Sequence, residues 1–481
     1  MITRNISKSI LFSLSAIILF GGCRKRDDIS LADNLVTFES AAQGISEAEN
    51  SITIKVKLSR QTDKDIPLTI NLTPDKVVYG TDFTTEPAAI SGALTVIVPS
   101  GNNEATFVVK KVAGVLFDGD EKVAFDIYRS ESPVLIGVTK KFTLNFAELV
   151  AASSTIMVDG GGATFPNKVF IDLSANRQTK VPRSSWDFGF YTDPADFKVT
   201  LNASTGMMAK QIAKNDLTTV TAADTIGFLN EVAYSQTNPL ISQLPYVDYP
   251  DGDLSKTAIG LIASTASENK VYIINRGFGI GSPAPARGWK KIRIIRNASS
   301  GYTLQYADIA ATTFTSVDIS KDANYFFKYF SFESGIVPVS PEKTKWDFAW
   351  SYFGNVTNFG SGEVPYLFQD MIVQNKNVQI AKVLTSSKAY NDFIESDIAA
   401  QTFGSSQVAI GADWRSGGGP TSGPAVRTDR YYIVKDGANN YYKLRFTSLT
   451  DGGVRGYPSF EYALIKKGEE AISQHAIIKP L

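Results

Sequence analysis

Cysteine and histidine are almost missing: a chain of 481 residues carries one of each, Cys23 and His475. A single cysteine makes no internal disulfide, no zinc cluster and no CxxC redox pair. A single histidine, in the C-terminal tail, excludes HExxH zinc sites, haem iron held by two histidines of one chain, and most histidine-based triads. An excess of one charge is missing too. Lys+Arg and Asp+Glu stand at 48 each, with no long basic stretch, so nothing offers the many phosphate contacts that nucleic acid demands. Catalysis finds little support. The carboxylates of Asp248 and Asp251 flank Tyr249-Pro250 as a glycosidase pair would, but a Tyr-Pro-Asp-Gly turn explains them more simply. The expectation is a protein that is not an enzyme.

What is present begins with an address. Arg4 and Lys8 precede an apolar run from Ile10 to Phe20, closed by Gly21-Gly22-Cys23. That run is far shorter than the roughly 20 helical residues that span a bilayer, and suits a secretory signal. Small residues before a cysteine resemble the bacterial lipobox, with Phe20 standing where Leu, Val or Ile is usual. The resemblance implies a signal peptide over 1–22 and lipidation of Cys23, so that acyl chains hold the protein at a membrane without a spanning helix. Arg24-Lys25-Arg26-Asp27-Asp28 then resembles the surface-export signals of Bacteroidetes lipoproteins. This implies an outer-membrane, cell-surface location, with residues 23–33 as a linker.

From residue 34 to 148 short strands follow one another. Ser51 to Leu58 alternates polar and apolar strictly, the mark of a half-buried strand. Leu35–Phe38, Pro67–Leu72, Ala93–Val98, Ala105–Val109, Val123–Ile127 and Lys141–Phe146 complete about seven strands, which reads as an antiparallel β-sandwich. Val36-Thr37-Phe38-Glu39, Gly80-Thr81-Asp82-Phe83 and Asp118-Gly119-Asp120-Glu121 resemble, in this order, a Calx-β domain. That likeness implies a weak calcium site at Asp118, Asp120 and Glu121, with Glu47 in reach. Calcium wants six to eight oxygens, and Val112-Ala113-Gly114-Val115 stands where the family often has consecutive acids. A spacer role is the simpler reading.

The remainder repeats itself. Phe170-Ile171-Asp172-Leu173-Ser174 leads to Trp186-Asp187-Phe188-Gly189-Phe190, and Phe327-Lys328-Tyr329-Phe330-Ser331-Phe332 leads to Trp346-Asp347-Phe348-Ala349-Trp350. Gln211-Ile212-Ala213-Lys214 recurs as Gln379-Ile380-Ala381-Lys382. Lys270 to Ile274 and Lys291 to Ile294 recur as Arg430 to Val434 and Lys443 to Phe446, and Tyr306-Ala307 as Tyr462-Ala463. Two domains are expected, 153–309 and 310–467, with a tail over 468–481. Each Trp-Asp pair reads as a buried indole beside a carboxylate that accepts from backbone amides. Lys-x-Arg alternating with apolar residues reads as the solvated face of an edge strand. Asp436-Gly437 and Asn439-Asn440 mark a hairpin.

The second copy resembles the HmuY family, the haem-binding surface lipoproteins of Bacteroidetes. The likeness rests on Phe330-Ser331-Phe332-Glu333-Ser334-Gly335, Trp346-Asp347-Phe348-Ala349 and Asn358-Phe359-Gly360-Ser361-Gly362. Tyr432-Ile433-Val434-Lys435-Asp436-Gly437 and Tyr442 to Thr447 extend it. It implies an all-β fold: an N-terminal antiparallel β-sandwich followed by two tandem HmuY-like β domains. It also implies capture of haem or a related tetrapyrrole, with a TonB-dependent outer-membrane receptor as partner. The family's two haem-ligating histidines are missing. The corresponding loop reads Trp414-Arg415-Ser416-Gly417-Gly418-Gly419-Pro420, and Gly418 takes the place of the second. Candidate ligand-binding residues are therefore Met207, Met208, Met371, Tyr246, Tyr249 and Trp414, since thioether and phenolate also bind haem iron. Met in a β protein is, however, usually core filler. Gly281-Ser282-Pro283-Ala284-Pro285 and the glycine run at 417–419 read equally as mobile lips and as ordinary linkers. The alternatives are a structural or adhesive surface module and a carbohydrate-binding protein.

Overall fold

A computed structural model of the chain describes residues 32–45, 49–113, 115, 117, 121–146, 153–417 and 423–468. The leader, Cys23, Glu47, Asp118, Asp120, Gly418 and His475 lie outside them. The N-terminal unit is two five-stranded sheets face to face. One holds Asn34–Phe38, Ser51–Leu58, Phe83–Glu86, Glu104–Lys111 and Val134–Ile136, and the other Ala42–Gly44, Ile66–Asp75, Ala93–Val98, Lys122–Ser130 and Lys141–Asn145. Alternation does what it predicts: Ile52, Ile54, Val56 and Leu58 all enter the core, against Phe107, Phe125 and Phe142. Two short strands add parallel pairings, Val134–Ile136 beside Asn34–Phe38 and Ala42–Gly44 beside Lys141–Asn145.

Eighteen strands of the larger unit fall into two sets of nine. The first set is β1 (Ser153–Met157), β2 (Asn167–Asp172), β3 (Arg177–Pro182), β4 (Phe188–Tyr191), β5 (Val199–Leu201), β6 (Met208–Gln211), β7 (Tyr272–Asn275), β8 (Trp289–Arg296) and β9 (Tyr302–Ala307). The second is β10 (Thr315–Ile319), β11 (Phe327–Ser331), β12 (Gly335–Val337), β13 (Phe348–Asn358), β14 (Glu363–Gln374), β15 (Gln379–Leu384), β16 (Arg430–Lys435), β17 (Tyr441–Asp451) and β18 (Val454–Lys466). The sheet orders are β10-β9-β8-β7-β6 and β1-β18-β17-β16-β15, then β12-β11-β4-β5 and β3-β2-β13-β14. The two orders in each pair become identical when every strand is moved on by nine places, so the duplication is built into the topology.

The halves are nevertheless interleaved. β1 pairs with β18 and β10 with β9, while β2 pairs with β13 and β11 with β4. The expected division at 309/310 falls inside a short connection between two neighbours of one sheet, and a short connection favours antiparallel pairing of the strands it joins. The second half's opening strand is thereby held by the first half's sheet, and β1 fills the matching place in the other.

Two sequence expectations are corrected. The Gln-Ile-Ala-Lys repeat is out of structural register, because Gln211 faces Tyr272 whereas Lys382, not Gln379, faces Tyr432. The Lys-x-Arg strands are central, not edge strands, and their lysines are not solvated, although Arg445 keeps 42% of its side chain exposed. Lys291 is fully buried and its ammonium donates to the carbonyls of Val220 (2.9 Å) and Ala311 (2.6 Å). Lys443 donates to Tyr390 (2.8 Å) and Phe393 (3.2 Å). The long excursions over 212–271 and 385–429 cover these sheet faces, and the lysines bind backbone carbonyls that burial would leave without donors.

Candidate ligand-binding site

Where the halves meet, each keeps its Trp-Asp pair. The Trp186 ring packs edge-on to Tyr329 at 5.0 Å, and Trp346 edge-on to Phe170 at 5.0 Å. Asp187 accepts from the Phe332 amide (2.9 Å) and Asp347 from the Leu173 amide (2.7 Å), so each carboxylate ties its own half to the other. Their surroundings differ. Arg276, just after β7, binds Asp187 through two nitrogens at 2.9 and 3.0 Å, and Arg287 joins at 3.0 Å. The residue just after β16 is Asp436, and Asp347 faces Asp436 and Asp172 instead. Burial first, then these two carboxylates, push the Asp347 carboxyl well above the usual range.

The halves differ most in one hairpin. β13 and β14 run 11 and 12 residues, against 4 and 3 for β4 and β5. The extension carries a row of rings: Phe359 packs on Tyr366 and Tyr366 on Phe368, each edge-on at 5.3 Å. Phe359, at the tip between turn residues, is 66% exposed. First-half residues brace the hairpin, Gln236 bonding the Leu367 backbone at both its amide (3.1 Å) and its carbonyl (2.9 Å). Between the Gln236–Pro239 segment and the rings of Phe359 and Tyr366 lies an open groove of about 430 Å³. A second groove of about 420 Å³ runs beside Tyr352, where the Arg183 guanidinium lies 5.0 Å above the ring, and reaches the Gly281-Ser282 loop. Both volumes fall among those typical of small-molecule pockets, about 300–1,000 Å³.

A family model described as HmuY protein matches residues 164–462, more than half of the sequence. The chain belongs to the HmuY family. No curated protein matches it. Among solved structures it is similar to an apo-form Calx CBD1 domain (16% identity, 24% of this chain and 97% of that one, TM-score 0.21). It is also similar to a two-domain protein of unknown function from Bacteroides fragilis (10% identity, 38% and 76%, TM-score 0.19). A putative carbohydrate-binding protein from Bacteroides ovatus is a third (10% identity, 71% and 98%, TM-score 0.17).

For a HmuY-family chain the positions of the candidate iron ligands matter most. Met207, Met208 and Met371 are buried in three separate core clusters, and the structure does not bring them together. Trp414 is buried too, stacked on Phe446 at 4.1 Å with its indole N–H on the Asp370 carbonyl (2.9 Å). Tyr246 donates to Glu231, which Lys210 also binds. Tyr249 reaches the hairpin, its hydroxyl 3.2 Å from the Glu363 carboxylate. Of the proposed calcium residues only Glu121 is described, and it is half-buried. Among the described residues no group of three or more His, Cys, Asp or Glu side chains is placed to hold a metal ion. None of the hairpin rings was singled out from sequence as a ligand contact. The available signal was Phe359 itself, a large aromatic inside the Asn-Phe-Gly-Ser-Gly turn.

Proposed function

We propose that this HmuY-family protein is a ligand-capture lipoprotein, anchored through Cys23 to the outer membrane and facing outward. The sandwich acts as spacer and a TonB-dependent receptor takes the captured ligand. The bound molecule is a flat ring system of tetrapyrrole type, held by stacking and not by ligation of a metal. One observation carries this reading: exposed Phe359 and half-buried Tyr366, edge-on to each other, line a ligand-sized groove, while the three methionines are buried in the core. Ring faces bind other ring faces through buried area and quadrupole contacts that need no iron.

Titration of the purified chain with haemin and with iron-free protoporphyrin IX tests it. Both should bind with affinities of the same order, and Phe359→Ala should weaken both by about tenfold, the scale of one lost aromatic contact plus its area. Haemin bound by orders of magnitude more tightly than the iron-free ring would overturn the stacking mode. Binding of neither would favour an adhesive or carbohydrate-binding module.

A further inference from the structure

A further cavity, partly enclosed, lies between the two halves at the base of the same hairpin, where Phe353, Val373 and Gln374 line it, away from the Phe359 tip. Its accessible space is about 100 Å³, several times the ~10–15 Å³ one water needs, and its wall includes Lys168 of β2, Trp186, Phe327 and Tyr329 of β11, and Trp346. Lys168 is 8% exposed, and among the described residues its ammonium makes no hydrogen bond or ion pair. It lies instead over ring faces, Phe170 at 5.3 Å and Trp186 at 5.7 Å. The Trp186 indole nitrogen is buried and likewise has no acceptor. Buried donors are nearly always satisfied, and a buried charge without an anion is costlier still. The unpartnered Lys168 ammonium in the wall of this cavity therefore points to a missing anion.

The fold does not demand this lysine. By strand register Ile171 corresponds to Phe330, so Lys168 occupies the place of Phe327 in the other half, where an apolar ring suffices. We propose that the cavity is a binding site for a small carboxylate, its charge met by the Lys168 ammonium and its body packed among the aromatic rings. Asp248 and Asp253 also line the cavity, and Lys376 adds a positive charge. Burial raises the Asp248 carboxyl to about 7, so it gains charge between pH 6.5 and 9.5 and adds to the loss of anion binding. The apolar rings favour a carboxylate with a ring body over the fully polar phosphate. Burial lowers the Lys168 ammonium to about 8, so it is charged at pH 6.5 and largely neutral at 9.5. This site is independent of ring capture on the hairpin.

Benzoate is the probe, followed by isothermal titration on the full chain and by the fluorescence of the tryptophans beside the cavity. Saturable one-to-one binding is expected at pH 6.5, at least tenfold weaker at pH 9.5. The uncharged benzamide should not bind, and inorganic phosphate should not displace benzoate. Lys168→Met should remain folded, judged by thermal unfolding, and lose at least tenfold in benzoate affinity, whereas Phe359→Ala should bind benzoate as the native chain does. No saturable benzoate binding, equal binding by Lys168→Met, equal binding of benzamide, or displacement by phosphate would each overturn the proposal. Should Lys168→Met fail to fold, the pH and benzamide comparisons on the native chain decide it.

Discussion

Asp187 and Asp347 hold matching places in the two halves and carry opposite electrostatic burdens. Asp187 neutralises buried Arg276 and Arg287, so Asp187→Asn leaves two guanidiniums short of an anion, with only Glu333 near. Breaking a buried pair from one side costs about 3 kcal/mol. Asp347 is held among carboxylates, and its folded-state pKa lies above the unfolded value of about 3.9. Its contribution is therefore full below that unfolded value and is lost as pH rises through the folded one. Asp347→Asn keeps an oxygen for the Leu173 amide and removes the charge. Urea unfolding at pH 5 and pH 8 should show Asp187→Asn destabilised at both, and Asp347→Asn gaining on the native chain as pH rises. At this scale the Trp-Asp pairs were legible in part: Trp186 is buried, Trp346 half-buried, and both carboxylates accept from backbone amides, but from amides of the other half, which no local pattern names. Lys168 was not legible. It sits in an ordinary strand, and its burial under Phe170 and Trp186 shows only once the strands are folded together.

Among the elements, the central strands β8 and β17 depend on cations that point into covering loops. Lys443 holds the carbonyls of Tyr390 and Phe393 and lies over the Tyr390 ring at 4.9 Å. Lys443→Met should leave the β16–β17 ladder intact and free the 385–429 excursion, at about 1–3 kcal/mol for carbonyls left without donors. Hydrogen exchange should rise in that excursion and not in the strands. Period-two alternation made most of the strands readable, as at Ser51–Leu58. It says nothing about what lies over the second face, so central strands lined with Lys and Arg read as edges. The same blindness misplaced the Gln-Ile-Ala-Lys repeat by three residues, since matching letters do not fix a pairing register.

For the whole molecule, interleaving makes the halves one unit. The groove at the hairpin takes Gln236–Pro239 from one half and Phe359 and Tyr366 from the other, and the partly enclosed cavity also draws on both. The sandwich meets this unit through charged contacts: Lys180 reaches Glu104 of the sandwich (3.4 Å), Lys57 of the sandwich reaches Asp159 (3.6 Å), and Arg177 reaches Glu49 (3.4 Å). Duplication was plain in the sequence, but exchange was not, because a strand's own residues fix its faces and not which neighbour it takes. The most direct test is to produce residues 153–309 and 310–468 as separate fragments and follow their unfolding by circular dichroism, alone and mixed. Neither should unfold cooperatively as a monomer, and mixing should restore a one-to-one complex with a single cooperative transition. A cooperative transition from either fragment as a monomer would contradict the account.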